Sequence, residues 1–317
     1  MTRICRGMAL CWLAVWLVLP TTFAAPLLFR ANEVVALLGG EDMVECQQFG
    51  YLELLLTREY PAEKIRFRDL AWEGDTVHAQ QRELNFPAWP EQLKRVEATV
   101  ILAQFGQAES LRGKEAQVDF LSAYEKFLNQ LQGPGRRVVL VSPTPFEKPD
   151  GKLPDLTARN PDLKNYIAGI KELAARRGCA FVDLFGPLAG VGKRARFTRD
   201  GLHLNARGHW LAAREIARQL SGGRTATLPE VASDDGKLGS PQWEQLRRVI
   251  VQKNQYWFEY WRPENWAFLN GDRTEQPSSR DHRDPKIRWF PQEMEQFVPL
   301  ISAREAEIAG LATQLAP

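Results

Sequence analysis

The sequence predicts an α/β fold: a three-layer α/β/α sandwich around a parallel sheet, followed by a helical, aromatic-rich C-terminal extension. Three observations carry this expectation. Apolar runs of strand length alternate with amphipathic stretches of helix length between Asn32 and Leu220, the pattern of strand–helix crossovers. Several runs stop at Gly or Pro, which punctuate such units. A polar stretch rich in Gly, Asp and Ser, residues 221–240, then separates this pattern from a segment dense in Trp and Tyr.

Residues 1–24 stand outside the pattern. Arg3 and Arg6 precede a twelve-residue apolar run, residues 8–19, and Thr22 and Ala24 supply small residues where a signal peptidase reads. This is a secretory signal, and we expect cleavage after Ala24. The alternative is a membrane anchor, but a span takes about 20 apolar residues. The expected location is secreted or periplasmic, with no stable membrane span after removal of the signal. The chain has 41 Lys+Arg against 39 Asp+Glu. Losing Arg3 and Arg6 leaves the mature chain with no net charge, which argues against a nucleic-acid partner. Cys46 and Cys179 are the cysteines that remain. An exported location permits a disulfide between them; we expect two buried thiols instead.

The elements follow in order. Residues 33–38 (EVVALL) form the first strand and run into Gly39-Gly40. Residues 43–58 carry helical spacing, with Val44, Phe49, Leu52 and Leu55 on one side. Strands follow at 65–70, 99–105, 137–142 and 179–183, and helices at 116–131, 160–177 and 206–220. Loops at the carboxyl ends of parallel strands hold the functional site, which points to residues 39–42, 71–76, 106–110, 142–148 and 197–205. Residues 25–220 form the expected domain, 221–240 a linker and 241–317 an extension. In the extension, helices are expected at 242–253 and 293–315. Its aromatic residues, among them Trp257, Trp261 and Trp266, either pack against the domain or stack on sugars; packing is the expectation.

The most informative stretch is Phe197-Thr-Arg-Asp200-Gly-Leu-His203-Leu-Asn205. An Asp three residues before a His, in a loop entering a helix, sets a carboxylate against one imidazole nitrogen. The other nitrogen is then free to act as a general base. His209, His78 and His282 have blander readings, as packing, loop and solvated residues. The histidines lack metal-site spacing, and neither a dinucleotide nor a phosphate-loop glycine pattern is present. We therefore expect no cofactor and no metal.

From Asp200 to His209 the chain resembles the last motif of the SGNH/GDSL hydrolase superfamily, where Asp and His complete a catalytic triad. Residues 70–77, with Gly74, resemble the second motif, and 105–110 occupy the place of the third. The resemblance implies that His203 is the base, that Asp200 orients it, and that the Gly74 N–H donates to an oxyanion. It also exposes two departures. The first motif reads Gly-Asp-Ser in the family, with Ser as nucleophile; here Gly39-Gly40-Glu41 stands there. The third-motif Asn is replaced by Ala108. Glu41 is the candidate substitute nucleophile or base, Gln107 the candidate oxyanion donor, and Ser110 a weaker candidate nucleophile. Losing a serine nucleophile costs roughly a million-fold in turnover, and losing an oxyanion donor about 100- to 1000-fold. Two functions remain open. One is a degenerate member, a pseudoenzyme kept as a binding or scaffold module. The other is an active esterase acting on acylated carbohydrate or another small ester through a non-standard nucleophile.

Overall fold

The computed structural model describes residues 27–191, 195–222, 228–231 and 233–315. The signal segment expected at 1–24 lies outside the described residues. Five strands, β1 (Val34–Gly39), β2 (Arg66–Asp69), β3 (Val100–Gln104), β4 (Arg137–Val141) and β5 (Ala180–Val182), form one sheet in the order β2-β1-β3-β4-β5. All four pairings are parallel. The three-layer sandwich is thus present. β1 pairs with β2 on one side and β3 on the other, so the chain reverses direction across the sheet between these strands. Gly39 sits opposite Gln104 at the carboxyl ends of β1 and β3. A crevice opens at such a switch point, and ligands bind there in open parallel sheets.

One face is covered by α1 (Glu41–Phe49), α2 (Tyr51–Glu59) and α8 (Ala206–Leu220). The other is covered by α3 (Trp89–Arg95), α5 (Gln117–Leu131) and α6 (Asn160–Arg177). Short helices α4 (Gln107–Ser110) and α7 (Phe185–Val191) complete the loops. The bounds of α6 and α8 match the sequence expectation. The single helix expected over 43–58 is two, because Gly50 adopts a left-handed φ of 69° and ends α1. Periodicity alone did not mark α3, which Pro90 opens in its first turn.

The extension comprises α9 (Pro241–Trp261), α10 (Trp266–Leu269), α11 (Trp289–Glu295) and α12 (Phe297–Gln314). The helix expected over 242–253 continues through the aromatic run, and the one expected over 293–315 breaks at Gln296. Trp257, Trp261 and Trp266 are 4%, 4% and 6% exposed, so their rings fill the core and offer no open sugar-stacking face. α9 runs along the sheet edge at β2. Trp257 Nε1 donates to the Asp69 carbonyl at 2.8 Å, and Lys253 Nζ to the Phe67 carbonyl at 3.4 Å. These donors occupy carbonyls that an open edge strand would present to another chain. Of the stretch expected as a linker, Leu238 is buried, and the Gly236 carbonyl accepts from the Tyr51 hydroxyl. Cys46 and Cys179 are free thiols, each partly buried. Among the described residues, no helix is long and apolar enough to cross a membrane.

Candidate active site

The late loop is built around its own carboxylate. Asp200 Oδ1 accepts from the backbone N–H groups of Leu202 at 2.9 Å and His203 at 2.8 Å. Asp200 Oδ2 lies 2.6 Å from His203 Nδ1. A carboxylate can only accept, so Nδ1 carries the proton and Nε2 keeps its lone pair. Partial burial works against the Asp200 charge. The hydrogen bonds from the imidazole and the two amides outweigh it and hold the carboxyl down at about 2. This is the orientation a general base needs.

The loop closes through the Arg199 N–H donating to the His203 carbonyl at 2.9 Å, and the Asn205 N–H to the Phe197 carbonyl at 3.0 Å. Asn205 then caps α8, its side chain accepting from the Gly208 N–H at 2.9 Å. Gly208 is required here: a Cβ on it would stand 2.0 Å from the Phe197 carbonyl oxygen. The spacing of Asp200, His203, Asn205 and Gly208 is therefore one packing unit.

Three buried or half-buried carboxylates, none singled out from sequence, join this loop and its neighbours. Glu147 Oε2 accepts from the Phe197 and Thr198 N–H groups and the Thr198 hydroxyl at 3.0, 2.8 and 2.7 Å. Asp42 Oδ1, in the first turn of α1, accepts from the Leu204 N–H at 3.0 Å. Burial pushes the Asp42 carboxyl up, against the pull of His209 and His203. Glu109 ties the second and third motif loops, accepting from the Val77 N–H at 3.0 Å and the Gly106 N–H at 2.9 Å. The only local signal for these residues was that carboxylates lie in strand-end loops or a helix's first turn, where free N–H groups collect.

A cavity of about 210 Å³ opens where these loops meet, lined by Glu41, Gly74, Gln107, Ala108 and His203 among others. The structure therefore brings together Glu41, Gly74, Gln107 and His203, with Asp200 behind the imidazole. Glu41 is half-exposed, and its ion-pair partner is Arg199 at 3.4 Å, not His203. The Gln107 amide donates to the Thr144 hydroxyl and carbonyl at 3.2 and 3.3 Å, so it is held toward the neighbouring loop. Among the described residues, the Glu41 and Gly74 N–H groups have no protein acceptor. Ser110 is fully buried and donates to the Gln107 carbonyl at 2.7 Å. It does not line the cavity, which removes it as a nucleophile. His78 lies 3.9 Å from Asp119 and beside Arg112, off the cavity, and His282 is exposed.

His209 is buried behind the site. Its Nε2 lies 3.1 Å from Glu45 Oε2, while Glu45 Oε1 takes Arg199 at 2.5 Å. Burial raises the Glu45 carboxyl, but the hydrogen bonds from His209 and Arg199 prevail and leave it lowered. Asp42, Glu45 and His209 offer ligand atoms within 4.8 Å of one another, a grouping that spacing could not reveal because two helices supply it. Asp42 accepts from the Leu204 N–H, and Glu45 engages both Arg199 and His209.

A parallel five-stranded sheet with an Asp–His pair on the last strand-end loop, facing a cavity at the switch point, defines a hydrolase-type α/β scaffold. The family comparison gives the same assignment at finer grain. Residues 23–211 match the GDSL-like lipase/acylhydrolase family, and the chain belongs to that family. Solved structures with a similar fold include a gut microbial diltiazem-metabolizing enzyme, at 13% identity, covering 92% of this chain and 96% of that one, with a TM-score of 0.57. A catalytic mutant of an acetylxylan esterase from Geobacillus stearothermophilus is 16% identical, covering 62% of this chain and 99% of that one, with a TM-score of 0.48. An alpha/beta hydrolase enzyme from the metagenome of Lake Arreo, Spain, is 15% identical, covering 62% and 99%, with a TM-score of 0.48. No curated protein matches the sequence.

Proposed function

We propose that this chain is an exported GDSL-family protein whose ester cleft is kept as a binding module for acylated carbohydrate or another small acyl ester, with hydrolysis lost or much reduced. One observation carries this reading: among the described residues, no Ser, Thr, Cys or Lys lines the cavity. Among those residues the His203 base has no hydroxyl or thiol to activate. Glu41, at the nucleophile's place, is drawn toward Arg199. What remains is a base, and two free backbone N–H groups that suit a carbonyl oxygen. Such a remnant retains about 10³- to 10⁴-fold over water at best. Family membership supports the ester, and the leader at residues 1–24 supports export.

The intact Asp200–His203 contact favours a second reading, an active esterase. His203 Nε2 would take a proton from water, whose oxygen attacks the ester carbonyl and releases acid and alcohol. Glu41 would otherwise be the attacking carboxylate. Hydrolysis of nitrophenyl acetate and acetylated xylooligosaccharides by wild type, His203→Ala and Glu41→Gln separates the two. The binding reading expects rates near buffer in all three, with calorimetric binding of the acetylated sugar weakened by His203→Ala. Wild-type turnover that falls about 1000-fold or more in His203→Ala would overturn it.

A further inference from the structure

We infer that the C-terminal extension positions the Gly74 loop of the cleft, and that Arg262 is the residue through which it does so. Arg262 follows the last turn of α9. Its guanidinium lies 3.8 Å from the centre of the Trp72 ring, and its Nη2 is 2.7 Å from Glu73 Oε2. Both partners immediately precede Gly74. Arg262 Nη1 is buried with no polar acceptor, as expected for a guanidinium laid on an aromatic face. Arg82 also packs on the Trp72 ring, at 4.5 Å, and makes two 2.7 Å hydrogen bonds to the Asp75 carboxylate.

The far end of the same connection is gripped as well. Trp266 Nε1 donates to the Leu84 carbonyl at 2.9 Å, and Asn85 Nδ2 to the Asn270 carbonyl at 3.0 Å. The Phe86 ring packs against Trp72, Trp261 and Trp266 with centroids at 5.6, 6.0 and 4.7 Å. The segment bearing Gly74 thus crosses from β2 to α3 between two holds, both made by the extension. On its inner side its backbone N–H groups tie it to the domain: Trp72 N–H to the Gly39 carbonyl at 3.2 Å, and Val77 N–H to the Glu109 carboxylate at 3.0 Å. A loop held this way presents a fixed N–H; one freed from Arg262 loses its outer wall.

The inference rests on Gly74 belonging to the cleft proposed above, but its test needs no ester. Amide hydrogen exchange is measured in the full chain for wild type, Arg262→Gln, Arg262→Lys and Glu73→Gln. In Arg262→Gln the hydrogen-bonded amides of Trp72, Asp75 and Val77 should exchange about tenfold faster, while β1 and β3 keep their rates. Arg262→Lys should restore part of the protection through its charge. Glu73→Gln, which leaves the stacking intact, should give a smaller increase confined to the same segment. Unchanged exchange at all three amides would overturn the inference, as would a rise spread evenly over the sheet. Failure of the ester-binding assay with this local effect present would remove the functional reading and leave the clamp standing.

Discussion

His203 and Asp200 are separated by two residues, so their contact is made by the loop's own geometry and survives as long as that loop closes. Asp200 ordinarily titrates near 3.8, and in the fold at about 2. The folded state therefore favours the ionised carboxyl. Its contribution is fully present above about pH 4 and is lost as pH falls through about 2. Urea unfolding of wild type should lose stability more steeply between pH 4 and pH 2 than unfolding of Asp200→Asn. Parallel slopes would show that the carboxylate's hydrogen bonds contribute nothing net. Glu41 is half-exposed and pairs with Arg199 at 3.4 Å, a contact that solvent weakens.

At the scale of elements, the decisive contact is between α9 and α2. Lys253 Nζ lies 2.8 Å from Glu53 Oε2, with side chains 0% and 7% exposed. Burial raises the Glu53 carboxyl, and Lys253 offsets only part of that rise, leaving it raised. A buried pair of this kind resists the loss of one partner far more than its replacement as a unit. Lys253→Met should destabilise the fold by about 3–5 kcal/mol, because Glu53 is left uncompensated. The double variant Lys253→Met/Glu53→Leu should recover most of that loss. Denaturant midpoints read both. A single variant no less stable than the double would show that the carboxyl simply protonates without penalty.

For the whole molecule, the extension joins the two apolar layers around the edge of the sheet. Leu246, Ile250, Ile308 and Ala312 enter one core, while Trp257, Trp261 and Ile301 enter the other. Removing it would expose these faces together with β2, the edge strand whose carbonyls α9 occupies. A chain ending at residue 240 should therefore lose its cooperative thermal transition and be cleaved readily by protease. A truncated chain that melts sharply and resists cleavage would make the extension an independent appendage.

The five strands and the longer helices of the domain were legible in the sequence because each carries a local signal, whereas the short helix α3 carries none. α6 and α8 are amphipathic, α6 ends at a left-handed Gly178, and Gly222 follows Ser221, the residue that caps α8. The Asp200–His203 pair was legible for the same reason, being three residues apart. Glu41 could be set at the mouth of the site because a strand followed by Gly39-Gly40 marks where the first loop turns. Local pattern could not reveal contacts between distant residues. The Asp42–Leu204 bond spans 162 residues, and the Arg262–Glu73 pair 189. Neither leaves a periodic trace, since one charged residue at one position looks like any other. The aromatic run was ambiguous on its own; burial of its rings against β2 and Phe86 decided it. The sequence by itself thus determined the layered α/β scaffold and the loops that form the cleft, because hydrophobic periodicity and turn residues act over a few positions. Only the tertiary structure decided that Gln107 is held aside, that Ser110 is sealed in, and that the extension grips the Gly74 loop, because those outcomes depend on which surfaces meet when the layers close.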